Sequence, residues 1–443
     1  MPDIERISVE DAVRIGITLH KEGRIDEARE MYAEILDAAP GQPDAMHYLG
    51  VLNHQTGASE EGAELIRQAI KLAPGDASIR SNYGNVLQQL GRLEEAEEAY
   101  RQTLQLDPAL VEAHCNLGVV LRRQKKTDEA EAALLNALSL DPEHADSHQN
   151  LGNIYKSRKD FDRAIEHYRS ASQYCTGAAA NRLGLTLADT LRRAGRSEES
   201  VVVLRECAAR DPEEPIARHL LAALTGENVP ARASDAYLRK TFDSFAPTFD
   251  EVLQRLHYRA PRLVAERLDA LLDGVPSPRD VLDAGCGTGL SGELLKPHAG
   301  RLVGVDLSSV MLQEARAKHI YDELVEAEIT AYLEANSCAF DVIACVDAFV
   351  YFGALDEVLV AAHGALRPGG WMCFTVEKTH ATAGVEGGYE IAGHGRYQHA
   401  VAYIEDVMSS NGFTSTETRD VILRLEMGQA VGGLLVSGRR TSA

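Results

Sequence analysis

"DVLDAGCGTGL", residues 280–290, runs from an apolar stretch into three glycines spaced two apart, Gly285, Gly287 and Gly289. An apolar run ending in such a turn predicts a buried strand feeding a loop. The backbone of that loop can approach a small ligand, because glycine has no Cβ to hold the ligand off. A dinucleotide-binding loop asks for G-x-G-x-x-G, and here the last position is Leu290. Two acids frame the loop. Asp283 lies two residues before the first glycine, and Asp306 ends the next apolar run, 17 residues after Gly289.

Around this loop, apolar runs at 279–284, 301–306, 323–327, 340–347 and 371–377 alternate with amphipathic, helix-compatible segments such as "SVMLQEARAK" and "LDEVLVAAHGALRPGG". Such alternation predicts a parallel sheet covered by helices. The tail "TSTETRDVILRLEMGQAVGGLLVSGRR" reads instead as two strands with a turn near Met427–Gly428, an antiparallel hairpin at one edge of the sheet.

The glycine loop with its two acids resembles motif I of the class I S-adenosylmethionine-dependent methyltransferases, and Asp306 matches the acid that ends their second strand. "DLSSVMLQEAR" and "LRPGGW" are similar to the same family at the exit of the second strand and the turn before the fifth, so the resemblance covers roughly 236–443. It implies an α/β Rossmann-like domain and S-adenosylmethionine as cofactor. Gly285, Gly287 and Gly289 would meet the amino-acid part of that cofactor, with Cys286 a small filler of the loop. The following helix N-terminus suits a carboxylate. Asp306 would accept from the ribose hydroxyls and Asp283 would face the ammonium. By the same resemblance Leu307 and Met311 pack around the adenine and Glu328 meets its exocyclic amine beside the Ile329 backbone; Asp347, after the fourth strand, is a further cofactor-binding candidate.

Methyl transfer from a sulfonium is a displacement on an activated carbon. Positioning supplies much of the acceleration, and a base is needed only where the acceptor must lose a proton early. Candidates follow the fourth and fifth strands: Asp347, Tyr351, Glu377, His380, Tyr389, His394, Arg396, Tyr397 and His399. His394 and His399 flank Arg396 and Tyr397 in a glycine-containing loop that leads into a helix. Tyr351 and the two histidines are the expected catalytic groups, with Arg396 and Tyr397 holding substrate; a polar loop capping a helix is the other reading. Phe242, Phe249 and Tyr258, in "FDSFAPTFDEVLQRLHY", are either lid residues over the cofactor or core aromatics. The stretch "CVDAFVYFG" lacks the [D/N]-P-P-[Y/F/W] of enzymes that methylate base amines or glutamine amides.

The first half has another logic. Gly16, Gly50, Gly84, Gly118 and Gly152 stand 34 residues apart, as do Pro40, Pro74, Pro108 and Pro142. A small residue (Ala28, Gly62, Ala96, Ala130, Ala164) and, four later, a large one (Tyr32, Ile66, Tyr100, Leu134, Tyr168) recur between them. This period predicts an all-α solenoid of helix pairs in which small residues permit close crossing and proline ends each second helix. It resembles the tetratricopeptide repeat, with copies at 9–42, 43–76, 77–110, 111–144, 145–178 and 181–214 and a closing helix over 215–225. The expected organisation is an array over 1–225, a linker over 226–237 and the methyltransferase domain over 238–443. That combination also resembles a bacterial family of predicted repeat-containing methyltransferases.

Asn82, Asn116 and Asn150 share one repeat position, and Asn85 and Asn153 another. On the concave surface these amides offer donors and acceptors to an extended peptide. Bonding within the array and self-association into a homodimer are the alternatives.

With 45 Lys+Arg against 67 Asp+Glu, the net charge of −22 argues against nucleic acid and anionic membranes as partners. Seven cysteines without a C-x-x-C pair predict neither disulfides nor a zinc site, and no other metal ligands stand out. No signal peptide or bilayer-length apolar run is seen, so a cytoplasmic protein is expected. Three functional readings stay open. They are a methyltransferase whose repeats recruit a peptide, protein or carrier-bound substrate, an interaction scaffold that only binds the cofactor, and a small-molecule enzyme dimerised by its repeats.

Overall fold

The computed structural model describes residues 7–274, 278–379, 386–426 and 428–441. The chain divides into two compact units, Met1–Ser200 and Val201–Ala443. That division falls inside the sixth repeat, ahead of the 226–237 stretch.

The first unit is a run of helix pairs: α1 (Val9–Lys21) with α2 (Ile25–Ala38), α3 (Pro43–Gln55) with α4 (Ser59–Leu72), and α5 (Ala77–Gln89) with α6 (Leu93–Leu106). α7 (Val111–Arg123) with α8 (Thr127–Leu140), α9 (Ala145–Ser157) with α10 (Phe161–Tyr174), and α11 (Gly177–Arg193) follow, and α12 (Ser197–Arg210) begins in this unit. The periodic glycines do what their spacing requires. A Cβ on Gly152 would fall 2.5 Å from the Tyr168 ring, and one on Gly84 would fall 2.7 Å from that of Tyr100. Each bare backbone is thus the floor on which the large residue of the next helix lies. The buried ladder Tyr32, Ile66, Tyr100, Leu134 and Tyr168 is the core of the array.

The second unit opens with the rest of α12 and with α13 (Pro215–Thr225), α14 (Asp235–Phe245), α15 (Phe249–Arg255) and α16 (Ala260–Leu272). β1 (Asp280–Ala284), α17 (Gly292–Leu295), β2 (Arg301–Asp306), α18 (Ser309–Ala317), β3 (Glu323–Glu326), α19 (Ile329–Ala335) and β4 (Phe340–Cys345) come next. The unit ends with α20 (Asp356–Ala365), β5 (Leu366–Lys378), β6 (Tyr389–Ile391), β7 (Tyr397–His399), α21 (Val401–Ser410), β8 (Phe413–Glu426) and β9 (Gln429–Arg440). The sheet order is β3-β2-β1-β4-β5, all parallel. β9 lies antiparallel on β5, and β8 lies antiparallel on β9. At its carboxyl end β5 also pairs with β7, which pairs with β6.

Strand residues alternate between two cores. Leu282, Val303, Ile343 and Phe374 enter one, and Val281, Leu302, Val342 and Cys373 enter the other. Burial on both faces is why these strands read as continuous apolar runs. The chain leaves β1 toward β2 and β3 and returns to β4 on its other side. That reversal opens a crevice between the carboxyl ends of β1 and β4. One expectation is corrected: the segment around "GHGRYQ" is a β-hairpin (β6–β7), with Gly395 N–H donating to the Ala392 carbonyl at 2.7 Å, and the helix starts only after it.

Candidate functional site

The loop after β1 is fixed by backbone bonds to the neighbouring strand. Gly285 and Cys286 both donate to the Val305 carbonyl, at 2.8 and 3.0 Å, and Gly289 donates to the Cys286 carbonyl at 2.9 Å. Gly285, Gly287 and Gly289 all have φ between +53° and +86°, where a side chain is strained. At Gly285 a Cβ would lie 2.5 Å from Ala348, beyond β4, with the Ile329 side chain 3.4 Å away. The crevice floor is therefore bare backbone between β1 and β4.

Asp306 pins this loop. Its carboxylate accepts from Gly287 N–H at 2.8 Å and from Ser308 N–H at 2.9 Å. Burial raises its pKa and these backbone donors oppose the rise. Asp283 is fully buried; Tyr321 donates to its Oδ2 at 2.6 Å, while Oδ1 has no hydrogen-bond partner. Burial pushes its carboxyl up to about 7, Tyr321 pulling against it and Asp306 adding to it. A buried carboxylate with one unmatched oxygen is electrostatically incomplete, and a cation beside it supplies what is missing. Tyr321 carries no motif; its ring also packs against Gly289 and Gly292.

The other residues assigned by resemblance fall around the same crevice with different duties. Glu328 caps α19, accepting from Ala331 N–H at 2.9 Å and from the Thr330 hydroxyl at 3.1 Å. Met311 is buried at 1% exposure, whereas Leu307 keeps part of its surface. Cys286 is buried and its thiol is pushed well up by that burial, as befits a loop filler.

The aromatic segment before β1 lies against the loop. Phe249 is the nearest neighbour of a Cβ built on Gly287, at 3.9 Å, and Phe242 meets Tyr351 edge-on with centroids 5.4 Å apart. Two carboxylates latch it: Asp250 accepts from the Thr288 hydroxyl at 2.5 Å and from Lys318 at 2.7 Å, and Asp243 accepts from the Ser308 hydroxyl at 2.5 Å. Phe242 and Phe249 are half-buried beside the glycine loop and Tyr351. Tyr258 packs against the sheet core, and burial, with Asp347 nearby, pushes its hydroxyl well up.

At the carboxyl ends of β4, β5 and β8 stands an ion cluster that sequence reasoning saw only in part. Arg424 bonds Asp347 at 2.9 Å, Glu426 at 2.8 Å, and Glu377. Arg396 bonds Glu377 at 2.5 Å and Glu426 at 2.7 Å. Asp347 also accepts from Thr375, whose hydroxyl in turn accepts from Asp347 N–H. His394 Nε2 is 3.5 Å from Glu377, and its Nδ1 accepts from Arg396 N–H at 3.3 Å. Glu377 is fully buried; burial alone would raise its pKa, but Arg396 and Arg424 bring it below the usual carboxylate value. Asp347 is held above its usual value by burial despite Arg424. The Tyr351 hydroxyl lies in the field of this cluster and burial raises its pKa.

His399 and Tyr397 do not join it. Glu377 is in register with Gln398, so strand alternation turns Tyr397 and His399 to the opposite face. There His399, fully buried, bonds the Gly353 carbonyl at 3.1 Å and stacks on Tyr403, and burial holds its pKa near 4. It is a neutral core histidine rather than a base. Tyr397 is fully buried and donates to the Pro230 carbonyl at 2.7 Å, so it holds the fold and not a substrate. Arg396 is ion-paired within the protein rather than open to an anion. His380 lies outside the described residues.

In the array, the asparagine positions bond to the array itself. Asn82 bonds His47 at 2.8 Å, Asn85 and Asn116 are linked at 3.1 Å, and Tyr100 donates to Asn85 at 2.7 Å. Tyr168 donates to Asn153 at 2.8 Å, and Asn150 donates to the Asp146 carbonyl at 2.9 Å. The in-array reading is the one these contacts show.

Comparison with known proteins matches this geometry. A "Methyltransferase domain" family model fits residues 281–370, and tetratricopeptide repeat models fit residues 13–77, 84–125 and 109–176. The chain joins a tetratricopeptide array to a class I methyltransferase domain. It is similar to Methyltransferase-like protein 27 of Homo sapiens, 36% identical over 140 residues, covering 30% of this chain and 55% of that protein. Malonyl-[acyl-carrier protein] O-methyltransferase of Enterobacter lignolyticus is 34% identical over 122 residues, 27% of this chain and 48% of that one. Ubiquinone biosynthesis O-methyltransferase of Thiobacillus denitrificans is 33% identical over 110 residues, 23% and 46%. The chain thus spans about half the length of these curated relatives. Among the described residues no helix is long and apolar enough to cross a membrane.

Proposed function

We propose that this chain transfers a methyl group from S-adenosylmethionine to an oxygen acceptor at the carboxyl ends of β4, β5 and β8, while the repeats hold a peptide or protein partner. The observation that carries the cofactor reading is the unmatched Asp283 Oδ1 at the base of a bare glycine loop. When bound, the cofactor supplies an electrophilic methyl on a sulfonium. Asp283 balances the ammonium, Asp306 accepts from the ribose hydroxyls, the glycine backbone gives room, and the aromatic segment excludes water. Oxygen as acceptor is supported by the names of two relatives. The excess of acids favours a partner other than nucleic acid. The seven free thiols fit a reducing, cytoplasmic compartment.

The test begins with calorimetry. S-adenosylmethionine should bind the wild-type chain, and Asp306→Ala should weaken binding about a hundredfold, the worth of two hydrogen bonds to a charged group at about 1.5 kcal/mol each. No heat with wild type, or equal affinity in the variant, would sink the cofactor reading. Release of S-adenosylhomocysteine with carboxyl or hydroxyl acceptors then separates an enzyme from a cofactor-binding scaffold.

The latch makes a kinetic prediction. Asp250→Ala removes the acceptor for both Thr288 and Lys318. Dissociation of S-adenosylhomocysteine, followed by stopped flow, should speed up about tenfold, with the association rate little changed, as is usual for lost contacts. An unchanged dissociation rate would mean that the segment does not gate the crevice.

A further inference from the structure

Helix α13 reads as the end of the repeat array, yet its side chains are built into the methyltransferase unit. His219, 5% exposed, donates from Nε2 to the Gly395 carbonyl at 2.7 Å, at the tip of the β6–β7 turn. Its ring stacks on Tyr237 of α14 at 3.9 Å. Leu224 approaches the other turn glycine, Gly393, and Glu214, which caps α13, is bonded by Lys240 at 2.5 Å. Gly395 has φ +87°, and a Cβ there would sit 3.1 Å from both the His219 ring and the Tyr237 hydroxyl. The fit therefore requires glycine on one side and a flat donor on the other. Immediately beyond this turn, Arg396 and Gln398 bond Glu377, and His394 lies inside the turn itself.

We propose that His219 is a positioning residue for the acceptor side: from α13 it clamps the β6–β7 turn so that Arg396 and His394 meet Glu377. This rests on the reading of the β5 end as the acceptor side. Burial keeps the ring neutral, so the clamp is one N–H donor held flat against Tyr237. It follows that α13 acts as part of the methyltransferase unit.

The experiment uses the full chain with His219→Ala, His219→Gln and Gly395→Ala, read by hydrogen-exchange mass spectrometry and by S-adenosylhomocysteine calorimetry. In His219→Ala and Gly395→Ala, exchange over 389–399 should rise about tenfold, while exchange over 280–290 and nucleoside affinity stay within about twofold of wild type. His219→Gln keeps an N–H donor and should restore most of the protection. Unchanged exchange over 389–399 in both disrupting variants, equal loosening of the whole unit, or no rescue by glutamine would each overturn the proposal. Failure of wild type to bind S-adenosylhomocysteine would remove the cofactor reading and leave the exchange result to judge the clamp.

Discussion

Below neutrality, S-adenosylmethionine should bind about tenfold more weakly for each pH unit, and Asp283→Asn should remove that dependence. The sign follows from the direction of the shift. In the free protein, burial raises the Asp283 carboxyl to about 7, so below this pH the group is neutral and cannot balance an ammonium. Binding the cation then requires the loss of a proton, and affinity climbs with pH until the free carboxylate is ionised. The same shift acts on stability. A carboxyl raised above its unfolded value favours the folded state most when protonated, and this contribution is lost as pH rises through about 7. The cation restores it, so the thermal shift caused by S-adenosylmethionine should be larger at pH 7 than at pH 5.5. Calorimetry across this range in wild type and Asp283→Asn decides the matter. A flat wild-type profile, or an equal slope in the variant, would show that Oδ1 does not meet the ammonium.

Why this could be foreseen only in part has a physical reason. The strands around Asp283 were legible because burial on both faces writes continuous apolar runs, and the loop because only glycine tolerates its backbone. The repeat period survived because each glycine lies under a ring, as Gly152 does under Tyr168. Tyr321 was not legible. It lies just before β3, and its bond to Asp283 depends on how three strands stack. Arg424 and Glu426 were hidden in a tail whose alternation looked like any edge hairpin, since the partners that make them matter come from the loop after β4, from β5 and from the β6–β7 turn. His399 was misplaced for a subtler reason. A one-residue change of register in β7 would have turned it toward Glu377, and register is set by pairing partners distant in the chain. The asparagines are a further instance, since their positions follow from the repeat while their bonding partners follow from its packing.

The ion cluster yields the largest expected stability effect. Arg424→Met should destabilise the second unit by about 3–5 kcal/mol, the usual cost of stranding a buried charge. The side chain of Arg424 is 6% exposed and serves Asp347, Glu377 and Glu426 at once. Deleting it leaves Glu377, with no exposed surface, one guanidinium (Arg396) beside Gln398 and His394, and leaves Asp347 to Thr375. Arg424→Lys should recover little, because one ammonium cannot reproduce a guanidinium fork spread over three carboxylates. The double variant Arg424→Met/Glu377→Gln should regain a substantial part of the loss, since the charge left unpaired is removed with its partner. Urea denaturation of wild type, Arg424→Met, Glu377→Gln and the double variant closes this cycle. Additive losses would mean that the two residues are not energetically coupled. Acid titration adds a second reading. Glu377 is held below the usual carboxylate value, so its contribution is present above that value and is lost as pH falls through its own lowered pKa. Asp347 has the opposite shift, burial outweighing Arg424, and its contribution is lost as pH rises. Two carboxylates sharing one arginine thus contribute to stability with opposite dependence on pH. Arg424→Met should push both upward and move the acid limb of the stability profile toward neutral pH.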